Sequence, residues 1–295
     1  MTSAIKQGRI RANGVDFAFL EAGEGPLVLM LHGYPDNAWT WEHQLPVLAG
    51  AGYRVVAPFL RGYPPTEAAP GSYHDRATLA LDIAALIETL GEGQPCRLVG
   101  QDWGAALSCG VLATFPDRVS RAVLMAIPHP AMVARSLTSP TQIHRAFHWW
   151  FFQLPGLPER AIPADDFAFI DYLWNDWSPG HDDGVHIARI KAMLARPGAV
   201  ESTLDYYRAA LNPARQDPAL VDLRARLDDP IKVPTLALCG ANDVRAEPMS
   251  AQADLFTGDY RFDVVPDCGH FLHRERPDEI NRRILDWLKD TRPSA

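Results

Sequence analysis

At 295 residues, 47% of them hydrophobic, the chain is long enough to bury one large core, or a core and a smaller subdomain. Its formal net charge of −8 disfavours a polyanionic partner, because phosphate backbones are held chiefly by clustered Lys and Arg, so no nucleic acid is expected. No apolar stretch approaches the roughly 18 residues of a membrane span, and the Trp-rich stretch near 147–152 is far too short, so no membrane partner is expected either.

The N-terminal residues Met1–Ile10 carry scattered charge and no apolar run of signal-peptide type, which makes a cytoplasmic location the expectation. Strand-like runs at 7–12, 15–21 and 26–31 are separated by the turn residues Asn13-Gly14 and Gly23-Glu24-Gly25, so the chain is expected to open with a hairpin that feeds a buried strand. Helix 39–49, strand 53–57, helix 75–90, strand 96–100, helix 103–115 and strand 119–126 follow. Such alternation predicts an α/β fold with parallel strands covered by helices. The order resumes with strands at 233–239 and 260–265 around a helix near 247–256. A last amphipathic helix is expected at 277–289, where Ile280, Ile284, Leu285 and Leu288 recur at helical spacing. Between about 129 and 225 the sequence is rich in Trp, Tyr, Phe and Pro, and its helical stretches do not alternate with strands. We therefore divide the chain into a core, 1–128 and 226–295, and an inserted helical cap, 129–225, over the carboxyl edge of the sheet where ligands bind in open α/β folds. Cys96, Cys109, Cys239 and Cys268 show no close pairing, so no disulfide framework is indicated.

The segment Cys96-Arg-Leu-Val-Gly-Gln-Asp-Trp-Gly104 runs a short apolar strand into a glycine-flanked turn and then into a helix. It has the outline of a nucleophile elbow, whose familiar form is Gly-x-Ser-x-Gly, with Asp102 in place of the serine. A carboxylate needs no base to ionise at neutral pH, and its attack on a strained or activated sp³ carbon leaves an ester on the enzyme. An Asp before a helix is commonly only a cap, but Gly100 and Gly104 on both sides favour the elbow. His270 follows the last strand on a loop, where imidazole is suited to deprotonating the water that attacks such an ester.

Four segments carry a wider resemblance: Leu31-His32-Gly33-Tyr34-Pro35, Gly100-Gln101-Asp102-Trp103-Gly104, Cys239-Gly240-Ala241-Asn242-Asp243 and Cys268-Gly269-His270-Phe271. Over nearly all of 10–290 the chain resembles the α/β-hydrolase fold, and within it the aspartate-nucleophile branch of epoxide hydrolases and haloalkane dehalogenases. The resemblance implies a mostly parallel, eight-stranded sheet flanked by helices. It implies Asp102 as nucleophile, Asp243 as the acid that orients His270, and backbone N–H groups of Tyr34 and Trp103 as the oxyanion hole. Asp243 competes with an ordinary turn residue, but at the family's other acid position this chain has Met125-Ala126-Ile127-Pro128 and no carboxylate. In relatives the bond before the proline of the oxyanion loop is typically cis, so Tyr34–Pro35 is expected to be cis.

Opening an epoxide creates an alkoxide that needs a proton donor, whereas expelling a halide needs only polar N–H contacts. Asp205-Tyr206-Tyr207-Arg208 resembles the cap segment of epoxide hydrolases in which Tyr before Arg donates to the epoxide oxygen, and Phe152-Gln153-Leu154-Pro155-Gly156 resembles the other, which puts His148 where a second Tyr usually stands. The resemblance thus implies Tyr207 as donor, with His148 beside it and Trp103, Trp149 and Tyr34 around an apolar substrate pocket. An aromatic cap core is the competing account of Tyr207 and His148. The sequence therefore points to a hydrolase that opens an apolar epoxide with water to a vicinal diol, with no cofactor and no metal. A haloalkane or haloacid dehalogenase is the first alternative, and a non-catalytic ligand receptor on the same fold is the second. Trp103 and Ala106 stand where haloacetate dehalogenases carry carboxylate-binding arginines. A homodimer is left open.

Overall fold

The computed structural model describes residues 4–67, 72–136 and 138–289. The opening strands are β1 (Lys6–Ala12) and β2 (Val15–Ala22), which pair antiparallel from Lys6↔Glu21 to Ala12↔Val15 across the Asn13-Gly14 turn. Five-residue β3 (Leu27–Leu31) is buried along its whole length, as a strand covered on both faces must be. A 3-10 turn at Ala38–Trp41 precedes α1 (Leu45–Gly50), β4 (Arg54–Pro58), α2 (Arg76–Gly91), β5 (Cys96–Gln101), α3 (Trp103–Thr114) and β6 (Val119–Met125). After the insert come β7 (Thr235–Gly240) and β8 (Tyr260–Val265).

The strands form one eight-stranded sheet in the order β1-β2-β4-β3-β5-β6-β7-β8. The pairs β1/β2 and β2/β4 are antiparallel and the rest parallel, so the carboxyl ends of β3, β5, β6, β7 and β8 share one edge. This is the α/β-hydrolase architecture.

Between β6 and β7 the chain is helical: α4 (Pro130–Ser136), α5 (Pro140–Arg145), α6 (Phe147–Phe151), α7 (Leu157–Ala161), α8 (Ala164–Trp177), α9 (Gly184–Leu194), α10 (Ala199–Leu211) and α11 (Val221–Arg224). The core resumes with α12 (Ala246–Ser250), α13 (Leu272–Glu275) and α14 (Pro277–Leu288).

Two expected helices are broken. The run at 39–49 divides into the 3-10 turn and α1 because Pro46, at the start of α1, has no N–H to continue the ladder. The run at 247–256 divides at Gln252, whose side chain turns inward to accept the His129 N–H and to donate to the Tyr260 hydroxyl. Two packed layers sandwich the sheet. On one side α2 and α3 lie with the inserted aromatics, and on the other Trp41, Leu45, Ile280, Ile284 and Leu288 cover it. The four cysteines are buried and free. Among the described residues, no helix is long and apolar enough to cross a membrane.

Candidate functional site

The turn from β5 into α3 places Asp102 at φ 51°, ψ −120°, a region that residues with a Cβ seldom occupy. The turn is that tight because both flanking glycines are needed. A Cβ on Gly100 would lie 2.5 Å from the Gly104 carbonyl oxygen, and one on Gly104 would collide with the Leu31 carbonyl, so α3 sits directly on the end of β3. Asp102 makes no side-chain bond to its own helix, so it is not capping α3. Its Oδ1 instead accepts the backbone N–H of Tyr34 at 2.9 Å. The Trp103 N–H stands at the first position of α3, where the helix offers no acceptor. The Tyr34–Pro35 bond is cis, and so is Pro64–Pro65, which nothing in the sequence pattern had suggested.

Asp102 Oδ2 faces His270 Nε2 at 3.6 Å, too long for a hydrogen bond but close for charges. On the other side of the ring, His270 Nδ1 donates to Asp243 Oδ2 at 2.8 Å. All three side chains are buried. Burial alone would drive the imidazole toward neutrality, but the Asp243 charge, the nearby Asp102 carboxylate and the hydrogen bond to Asp243 raise His270 above its ordinary pKa. The carboxylates respond conversely. Burial favours their neutral forms, yet His270 and Arg245 hold both Asp102 and Asp243 below the usual range.

Asp102 opens onto a cleft of about 690 Å³, counting its mouth, lined by Trp103, Ala106, Ile127, Val133, Trp149, Tyr207, Ala210 and Leu211, with Arg76 and Asp228 also in its wall. The surface is mainly apolar. Trp103 and Trp149 stack at 5.5 Å between ring centres. The Tyr207 ring meets Trp103, Trp149, Phe152, His148 and Tyr34 edge to face at 5.0–5.5 Å. Burial, reinforced by the Asp102 charge, raises Tyr207 well above the ordinary phenol pKa, while a hydrogen bond from the Trp103 side chain acts the other way.

The adjacent tyrosine is committed elsewhere, because the Tyr206 hydroxyl donates to the Arg61 carbonyl at 2.7 Å. His148 is buried behind Tyr207, its ring 5.0 Å from Trp177, and its Nδ1 has no hydrogen-bond partner among the described residues. Burial lowers its pKa far below the ordinary value, so the imidazole is neutral. Neither His148 nor the Tyr34 ring lines the cleft. The Tyr34 ring is covered by Phe152 and Tyr207, so it backs the pocket and meets Asp102 only through its backbone.

A family model described as alpha/beta hydrolase fold matches residues 26–277. The chain belongs to the alpha/beta hydrolase family. Over 96% of its length this alpha/beta hydrolase is 31% identical to epoxide hydrolase 3 of Xenopus tropicalis, covering 77% of that protein. It is 29% identical to human epoxide hydrolase 4, over 96% of its own length and 78% of that chain. The crystal structure of epoxide hydrolase A from Mycobacterium thermoresistibile superposes with a TM-score of 0.81 at 26% identity, covering 97% of this chain and 98% of that one. Within its family the hydrolase is epoxide hydrolase-like.

Several further residues hold the hydrolase's site together. Arg208 donates from Nε to the Phe152 carbonyl at 2.9 Å and pairs with Glu159 at 2.7 Å, fastening α10, and with it Tyr207, to the segment after α6. Gln153 Nε2 bridges the Trp149 and Tyr207 carbonyls, 3.0 Å from each. The end of α8 grips the histidine loop, with the His270 N–H bonded to the Trp177 carbonyl at 2.9 Å and the Phe271 N–H to Ser178 Oγ at 3.1 Å. Trp174 stacks on Phe271 at 3.7 Å. Asp36, two residues beyond Tyr34, accepts from His186 of α9 at 2.6 Å in a fully buried pair. Among the described residues, no group of three or more His, Cys, Asp or Glu side chains is arranged to hold a metal.

Proposed function

We propose that this enzyme opens apolar epoxides to vicinal diols in two covalent steps, with residues 129–225 as its lid. The observation that carries the reading is an ionised carboxylate at a strained apex, facing an apolar cleft that also presents a phenol. In the first step Asp102 Oδ2 attacks an epoxide carbon while Oδ1 stays on the Tyr34 N–H. The carbon–oxygen bond of the ring breaks, its electron pair remains on oxygen, and that oxygen takes the Tyr207 proton. His148, neutral and behind Tyr207, orients the phenol rather than supplying the proton itself.

Forming the ester removes the negative charge of Asp102 and with it part of what raises the His270 pKa. The base is thereby released at the step that needs it. His270 Nε2 then takes a proton from water as the water oxygen adds to the Asp102 carboxyl carbon. Negative charge gathers on Oδ1, where the Tyr34 and Trp103 N–H groups receive it. Collapse expels the diol oxygen, which takes the imidazolium proton; the Asp102 carboxyl left behind, carrying one oxygen and one proton from the water, gives up that proton to the Tyr207 phenolate, so that carboxylate, phenol and imidazole are all restored. Neither step calls for a metal or cofactor.

A dehalogenase is the second reading, favoured by the stacked Trp103 and Trp149 in the cleft wall, whose indoles resemble a halide site. Incubating the purified enzyme with styrene-type and aliphatic epoxides, and separately with 1-haloalkanes, tests both. Diol formation without halide release is expected; halide release without diol would replace the first reading by the second.

A further inference from the structure

The Asp243 carboxylate is divided between two cations. Its Oδ2 accepts from His270, while Oδ1 accepts the backbone N–H of Arg245 at 2.9 Å and lies 3.5 Å from the Arg245 guanidinium. That guanidinium is buried, with its side chain only 7% exposed. It also stands 5.8 Å from the centre of the Trp177 ring, whose indole in turn contacts His270 at 5.1 Å. A permanently charged, desolvated group so placed, beyond what orienting Asp243 requires, calls for an explanation.

We propose that Arg245 is a positioning residue for the base: by sharing Asp243 it keeps the acid from holding His270 as an imidazolium, so that the imidazole can deprotonate water at neutral pH. This rests on the reading of His270 as base of ester hydrolysis. A carboxylate with one cation stabilises it fully, whereas a second cation on the other oxygen neutralises part of its field. Other charged and titratable groups surround the imidazole. Asp102 faces it from the elbow and His148 from α6, while Arg145 of α5 and Asp176 of α8 line, with Asp243 and Arg245, a polar pocket of about 580 Å³. Among the forces on His270, the Asp243 and Asp102 contributions raise its pKa and Arg245 lowers it.

The geometry also separates charge from orientation. The Arg245 backbone N–H keeps its hold on Asp243 Oδ1 whatever side chain is present. Replacing the side chain therefore removes the second cation while leaving the acid anchored. R245Q and R245M, with R245K as the charge-conserving control, are compared by NMR titration of isotopically labelled histidine in the substrate-free enzyme. In R245Q and R245M the His270 pKa is expected to rise by about one unit, the scale of one neighbouring charge lost from a buried site, and in R245K to stay near the wild-type value. The low-pH limb of single-turnover ester hydrolysis should move upward with it, roughly tenfold slower below the new pKa and unchanged well above it. An unmoved His270 pKa in a folded R245Q or R245M overturns the proposal, as does an equal loss of rate at all pH values. Because the titration needs no substrate, failure of the wild type to turn over epoxides would reject the proposed function while leaving the role of Arg245 to the NMR result.

Discussion

Replacing Tyr207 by Phe separates the epoxide reading from its competitors. The tyrosine ring is held by five aromatic neighbours at 5.0–5.5 Å, and phenylalanine keeps every one of those contacts. Only the hydroxyl is lost, which stands beside Trp103 in the cleft wall. One neutral hydrogen bond is worth about 1 kcal/mol, so the fold should weaken by no more than that. The chemical loss should be larger. General acid catalysis contributes about 10²–10⁴-fold. The lower end is expected because a buried phenol with a raised pKa is a reluctant acid, so ester formation should slow about 100-fold, or about 2.7 kcal/mol of barrier. The assay is the rate of ester formation in a single turnover, measured with His270→Gln in both proteins so that hydrolysis does not intervene. If Y207F forms the ester from an epoxide as fast as its parent, the phenol is not the donor. With a 1-haloalkane, whose leaving group needs no proton, the same change should have little effect on any ester formed.

Other consequences concern stability. His32, His74 and His129 are each lowered to about 4 by burial, so the native state resists protonating them. Because their folded values lie below the ordinary 6.5, the stability they contribute is complete above pH 6.5 and is lost as pH falls toward 4, at about 1.4 kcal/mol per pH unit for each group. Urea unfolding between those limits should show a steep decline, and a flat profile would contradict the burial assigned to them. Changing His186 to Ala leaves the Asp36 charge buried without its partner and should cost about 3–5 kcal/mol in the same assay, whereas replacing both members by Leu should cost less. Equal losses for the single and double changes would show that the pair is not coupled.

Much of this was legible in the chain, because its signals are local. Alternating apolar strands and amphipathic helices spell the parallel sheet, and Gly100-Gln101-Asp102-Trp103-Gly104 spells the elbow, since a turn that places α3 on the Leu31 carbonyl tolerates no side chain at Gly104. Contacts between distant segments were not legible. Nothing near Arg245 in sequence says that its guanidinium is buried beside Asp243, and nothing near Ser178 says that it receives the Phe271 N–H, 93 residues away. Tyr206 and Tyr207 are both buried aromatics on one helix. What separates them is the Arg61 carbonyl, which occupies the first and leaves the second to the cleft. The surroundings of the Tyr34 ring are hidden for a similar reason, since its neighbours in space, Phe152 and Tyr207, lie more than a hundred residues away in the chain.

The covalent role of Asp102 is the claim on which the rest depends, and mass spectrometry of the H270Q variant after brief exposure to an epoxide addresses it most directly. The account predicts that the peptide containing Asp102 gains the mass of one substrate molecule. The adduct should form with first-order kinetics, decay far more slowly than turnover by the wild type, and be absent when Asp102 is changed to Asn. Diol production by H270Q at the wild-type rate with no adduct on that peptide, or an adduct on a different residue, would contradict it.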